Sequence, residues 1–223
     1  MQTYNKLTRY RSGATKVKSR MVGFLPLLRP YGFNISVSHS HKFVWFRVAK
    51  VGTRTLLDEF NKSNIETVKS HQRMIPYSSG MYSGYLKFAF VRNPWSRLVS
   101  CWKNKVVDAN AFNLEVELLE ELRQFPAFVA YVKDLDLAKT DVHLRLQSTL
   151  IDHENISFLG KFENFVPDVI RLFDCLGETK ETIGRKNTSI INPGVYKQYY
   201  TSSEIKEVEK MYIADVELFG YKY

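Results

Sequence analysis

Two short stretches of the chain are apolar almost without interruption. Phe43, Val44, Trp45, Phe46 and Val48 dominate residues 42–48, and a second run fills residues 86–91. Runs of this length without alternation predict strands buried on both faces. Helical spacing follows each run. Leu56, Leu57 and Phe60 fall on one side of residues 53–61. Trp95, Leu98, Val99, Trp102 and Val106 recur three or four residues apart, as on one helix face. Asn93-Pro94 suits the start of that second helix, because Asn caps and Pro fits the first helical position. Ser96, Arg97 and Ser100 fall off its apolar face and are expected to meet a ligand.

The remaining pattern alternates in the same way. Residues 65–69 predict a short strand, and residues 76–84, rich in Ser, Gly and Tyr, predict a loop. Residues 112–150 read as mainly helical. Residues 156–162 predict a strand, and residues 165–176 a helix ending at Gly177. A polar, turn-rich stretch follows to residue 195. Thr201 and Glu204 form a capping box, and Ile205, Val208, Tyr212, Val216 and Phe219 make one further helical stripe. Strands alternating with helices predict an α/β domain: a P-loop-like three-layer arrangement with a mostly parallel central sheet flanked by helices. In such sheets ligands bind beyond the carboxyl ends of the strands.

Charge changes this picture at one end. The formal net charge is +9, yet the first 57 residues hold 11 Lys or Arg and no acid, so all the excess lies there. Residues 1–20 lack apolar periodicity and read as a basic flexible arm, leaving residues 21–223 as a single domain. A basic start points to an anionic partner. A transit peptide fits less well, because the strand ending at Lys50 lies inside the same acid-free region. No apolar stretch approaches a membrane span. The two cysteines, Cys101 and Cys175, make no disulfide framework and no metal-ligand spacing. Both are expected to be buried or partly buried thiols.

The candidate chemistry lies where the two apolar strands end. Lys50, Val51, Gly52, Thr53, Arg54 and Thr55 offer backbone amides, hydroxyls, a flexible glycine and a helix N-terminus, a combination that holds a phosphate. The Gly-x-x-x-x-Gly-Lys-Ser/Thr pattern of nucleotide triphosphatases is missing. Arg92 ends the second strand, and Ser100 stands eight residues later on the non-core side of the helix. A guanidinium and a hydroxyl can share one phosphate. Each turn alone is as compatible with a capped helix and solvated cations. Two in this order suggest a ligand with phosphate-like groups at both ends.

In these segments the chain resembles the sulfotransferases, closest to the carbohydrate sulfotransferases and related to heparan sulfate 2-O-sulfotransferase. Residues 50–55 resemble that family's 5′-phosphosulfate loop, and Arg92 and Ser100 its 3′-phosphate motif. The resemblance continues in Asp141-Val142-His143, in residues 158–163 and in residues 215–221. One departure is Ala49, where the family often has Pro before the loop lysine. The resemblance implies a donor, 3′-phosphoadenosine 5′-phosphosulfate, and an acceptor hydroxyl, on a carbohydrate or another molecule, with an acidic acceptor suited to the basic start. It implies no metal, no nucleic acid and no membrane span. Lys50 would polarise the leaving phosphate oxygen. His71 has the placement of a catalytic histidine of the 2-O-sulfotransferases, and His143 matches a family position near the acceptor. Glu163 and Glu59 are outside candidates for the same proton transfer. Arg185 and Lys186 resemble an Arg-Lys pair that closes over the nucleotide in some members. Tyr77, Tyr82 and Tyr85 could stack on sugar rings or simply pack. The initial Met and the missing anchor suggest a soluble bacterial or viral enzyme of the cytoplasm, with the Golgi lumen the alternative for a truncated eukaryotic chain. Two other classes fit the residues: a P-loop-like small-molecule kinase, and a non-enzymatic module that binds polyanions.

Overall fold

Both apolar runs become strands, and they lie side by side. The computed structural model describes residues 32–69, 77–184 and 194–223; the basic arm at residues 1–20 lies outside them. Five strands form one sheet: β1 (Ile35–Ser38), β2 (Phe43–Phe46), β3 (Val68–Lys69), β4 (Leu86–Val91) and β5 (Phe158–Lys161). Their order is β3-β1-β2-β4-β5. β2, β4 and β5 run parallel, and β1 is antiparallel to both of its neighbours. Four of the five strands therefore point the same way, as expected of a mostly parallel sheet.

Seven helices accompany the sheet among the described residues: α1 (Thr53–Lys62), α2 (Pro94–Trp102), α3 (Val116–Leu122), α4 (Phe125–Lys133), α5 (Phe165–Cys175), α6 (Ser202–Met211) and α7 (Ile213–Phe219). Residue parity decides which side chains meet which layer. Phe43, Trp45, Phe88 and Phe90 share one face of the sheet. Phe60 of α1 stacks on Phe43 with ring centroids 5.2 Å apart, and Phe165 of α5 lies 5.4 Å from Phe90. Phe46 points to the other face, against Phe33 and Tyr77. Both faces are buried along β2 and along residues 88–91 of β4, which is why the two read as nearly unbroken apolar runs.

Four local readings change. β1 was not expected: its Ser36 and Ser38 are buried, so a strand covered on both faces carries a polar pattern. Residues 112–150 are less helical than expected, with α3, α4 and a single 3-10 turn at Gln147–Leu150. The last stripe is two helices that meet at buried Tyr212, whose hydroxyl donates to the Leu144 carbonyl at 2.7 Å. Cys101 is buried, but Cys175, at the exposed end of α5, is not.

Close packing between strands leaves no room at Gly160. A Cβ there would run into the ring of Phe90 on the neighbouring strand. Gly160→Ala is expected to destabilise the fold by about 1–3 kcal/mol through overpacking. Urea denaturation should show a lower midpoint with an unchanged slope.

Candidate active site

Register puts the two candidate anion segments level with each other. Phe46 pairs with Ala89 in the parallel β2–β4 ladder, so Ala49 and Lys50 come abreast of Arg92 and Asn93. Val91 pairs with Lys161, so Phe162 and Glu163 flank Arg92 and Asn93 from the other side. The chain leaves β2 through α1 toward β3, and leaves β4 through α2 on the way to β5. The crevice between the carboxyl ends of β2 and β4 is thus the point where the connections diverge, the usual ligand position in such sheets.

The first segment is built as an open helix N-terminus. Lys50 (φ 71°) and Gly52 (φ 85°) both adopt left-handed backbone, which turns the chain sharply from β2 into α1. Gly52 is required twice: for its conformation, and because a Cβ would strike the Phe165 ring. No side chain caps α1 and no acid lies in its first turn. By contrast, α2 is capped by the Asn93 side chain and α6 by the Thr201–Glu204 box. The first intrahelical bond is Leu56 N–H to Gly52 O, so the amides before it point out of the helix. Of the two hydroxyls, Thr53 Oγ1 donates to Val48 O at 2.9 Å and Thr55 is buried. Val51 is buried too, so it offers only backbone, whereas Arg54 is exposed.

Arg92 joins the two segments. The residue is 5% exposed, with Nε donating to Ser96 Oγ at 2.9 Å and Nη1 to Lys50 O at 3.1 Å. It lies over the Phe162 ring, 4.0 Å from the centroid. Glu163, the nearby acid, forms no salt bridge with it; its oxygens accept from Asn93 N–H and the Tyr221 hydroxyl. Burial pulls the Arg92 pKa down to about 10, against the attraction of Glu163. Ser96 is therefore spent on Arg92, while Ser100 stays half-exposed on the helix above.

The reactive lysine candidate is held from below. Lys50 Nζ donates to Asn104 Oδ1 at 3.1 Å. Burial lowers its pKa to about 8, and Arg92, Lys105 and Arg54 push the same way. Asn104 and Lys105 belong to a π-helical continuation of α2, Lys103–Val107. Wider π turns recur at functional sites, and this one carries two side chains that the apolar stripe through Val106 did not single out. His143 lies within electrostatic reach of the same Lys105. Its Nδ1 pairs with Asp141 Oδ1 at 2.7 Å, which fixes the ring proton there and leaves Nε2 as the accepting nitrogen. Burial lowers the His143 pKa despite that carboxylate.

Arg97 corrects an expectation. It is buried (2% exposed) rather than turned to a ligand. Its Nε donates to Ala49 O at 3.1 Å, Nη1 to Arg145 O at 2.8 Å and Nη2 to Val142 O at 2.8 Å. It ties the Lys50 loop to the His143 turn. Glu59, considered for proton transfer on sequence, is buried between Lys62 and Lys180 and accepts from Gly184 N–H. Tyr77 is buried against Phe46 and stacks on Tyr82. His71, Arg185 and Lys186 lie outside the described residues. Among the described residues no group of His, Cys, Asp and Glu is arranged to hold a metal ion, and no helix is long and apolar enough to cross a membrane.

Comparison with known proteins identifies the family. The pattern of the sulfotransferase family matches residues 33–222. Carbohydrate sulfotransferase 14 of Danio rerio is 23% identical over an alignment of 231 positions that takes in 84% of this chain and 62% of that protein. The chain thus spans less than two thirds of that relative. An uncharacterized protein of Archaeoglobus fulgidus is 30% identical over 110 residues, 49% of this chain and 82% of that protein. No protein of solved structure matches.

Proposed function

Because the chain belongs to the sulfotransferase family, we propose that it moves a sulfuryl group from 3′-phosphoadenosine 5′-phosphosulfate to an acceptor hydroxyl on a carbohydrate. The observation that carries this reading is the crossing of the two anion segments, with Arg92 bonded to the Lys50 carbonyl beside an uncapped helix N-terminus. The residues fit a doubly phosphorylated ligand. The α1 amides and Lys50 suit the 5′ end. Arg92, buried without a carboxylate salt bridge among the described residues, and Ser100 suit the 3′ end, and Arg185 and Lys186 are proposed to add to the donor contact.

The donor supplies an already activated sulfuryl group, so the protein has to position it and stabilise charge. Lys50 places a cation where the leaving oxygen gains charge. His143 Nε2 is proposed to accept the acceptor proton, with Asp141 steadying the imidazolium; His71 is the alternative that the family resemblance favours. Adenosine 3′,5′-bisphosphate should raise the melting temperature, and adenosine triphosphate with magnesium should not. The reverse preference would refute the reading in favour of a kinase.

A pH profile follows from the two shifted groups. His143 must be neutral to accept a proton, and its pKa is lowered, so kcat/KM should fall on the acid side only below the ordinary histidine range. Lys50 must be charged, so kcat/KM should fall again as pH rises through about 8. His143→Ala should abolish the acid limb. If His71→Ala does so instead, the proton acceptor is His71.

A further inference from the structure

The end of β4 poses a hydrogen-bonding problem that the neighbouring strands do not solve. β2 ends level with Ala89 and β5 level with Val91. Arg92 is one residue further on, so its backbone N–H and C=O have no strand beside them. Both groups are buried, and orphaned backbone groups are costly. One side chain satisfies the two of them. Gln147 Oε1 accepts from Arg92 N–H at 2.9 Å, and Gln147 Nε2 donates to Arg92 O at 2.8 Å. The side-chain amide acts as a one-residue strand.

Gln147 is itself oriented. Asp215, fully buried in α7, accepts from Gln147 N–H at 2.7 Å and from Ser148 N–H at 2.8 Å. Its Oδ2 also lies 3.4 Å from Gln147 Nε2. A carboxylate attracts the NH2 end of an amide and repels the oxygen, so the amide can face Arg92 in only one sense. Two further links tie the C-terminal segment to the same strand end. Asn93 Nδ2 donates to Lys222 O at 2.9 Å, and the Tyr221 hydroxyl donates to the Glu163 that holds Asn93 N–H.

We propose that Gln147 and Asp215 are positioning residues that set Arg92 for the 3′-phosphate, so that the last helix of the chain tunes discrimination for a 3′-phosphorylated nucleotide. This rests on the assignment of Arg92 to the 3′-phosphate made above. Gln147 hydrogen-bonds Arg92 through its backbone, and its effect reaches the ligand through the guanidinium, which is held on its other side by Ser96 and Lys50.

The test is a ratio of affinities measured by calorimetry: adenosine 3′,5′-bisphosphate against adenosine 5′-phosphate, which differ only in the 3′ group. Gln147→Met keeps the volume and removes both bonds. It should reduce the ratio by about tenfold, the effect of losing one charge-assisted hydrogen bond, while changing adenosine 5′-phosphate binding less than about twofold. Asp215→Asn should reduce the ratio in the same direction, and it carries the test alone if Gln147→Met does not fold. A merely structural role would weaken both ligands together and leave the ratio unchanged. The control is Arg92→Ala. If it collapses the ratio and both other variants keep the wild-type value, the positioning role is wrong. If Arg92→Ala also keeps the wild-type ratio, the 3′ assignment of Arg92 is wrong, and this inference falls with it.

Discussion

Replacing Lys50 by alanine is expected to slow sulfuryl transfer by about a thousandfold or more, the scale of removing a charge-stabilising donor from a preorganised site. The loss should not come from unfolding. Burial brings the Lys50 pKa to about 8 from an ordinary 10.5, so the folded protein holds this charge less favourably than the unfolded chain does. A lysine with a lowered folded pKa costs stability below that pKa, and the cost disappears as pH rises to the unfolded value. Alanine removes it at neutral pH. The left-handed backbone at φ 71° is no worse for alanine, since both side chains have a Cβ. Melting temperature should therefore hold or rise while single-turnover transfer with labelled donor collapses. A variant that transfers within about tenfold of wild type would remove Lys50 from the chemistry.

The same loop shows why part of the site is legible in the amino-acid sequence alone. Two nearly unbroken apolar runs bounded by turn signals suit strands covered on both faces, and two turns rich in cations and hydroxyls, one after each run, together suggest a ligand with phosphate-like groups at both ends, although each turn alone is as compatible with a capped helix. Asn93-Pro94 and the Thr201–Glu204 box carry their own geometry, and both helices start where those residues say. Other features depend on long-range partners and leave no local trace. Ile35 to Ser38 becomes a strand only because β2 and β3 pair with it on both sides. The π turn that delivers Asn104 and Lys105 lies inside a stripe that is apolar at ordinary helical spacing through Val106. Gln147 reaches Arg92 across 55 positions of sequence, with no motif around it to announce the contact.

Arg97 is where helical phase misled. The phase is right, since Arg97 does leave the stripe of Trp95, Leu98 and Val99. What the phase could not say is that the polar side of α2 is covered by loops rather than by water. Three carbonyls, of Ala49, Val142 and Arg145, end in that space with Arg97 as their donor. A planar fork with several N–H groups can serve them at once, and no other side chain can. Arg97→Met should therefore cost about 3–5 kcal/mol, the combined cost of leaving buried acceptors unpaired after partial relaxation. Arg97→Lys should recover only part of it, because one ammonium cannot span three acceptors. The brace joins the Lys50 loop to the turn that carries His143, so the folded fraction of Arg97→Met should also lose transfer while Gly160→Ala, destabilised elsewhere, keeps it. Urea denaturation with single-turnover rates on the same samples separates the two effects. A methionine variant within about 1 kcal/mol of wild type, with transfer intact, would mean that water or neighbouring donors take over the carbonyls and that the two halves of the site stand without Arg97.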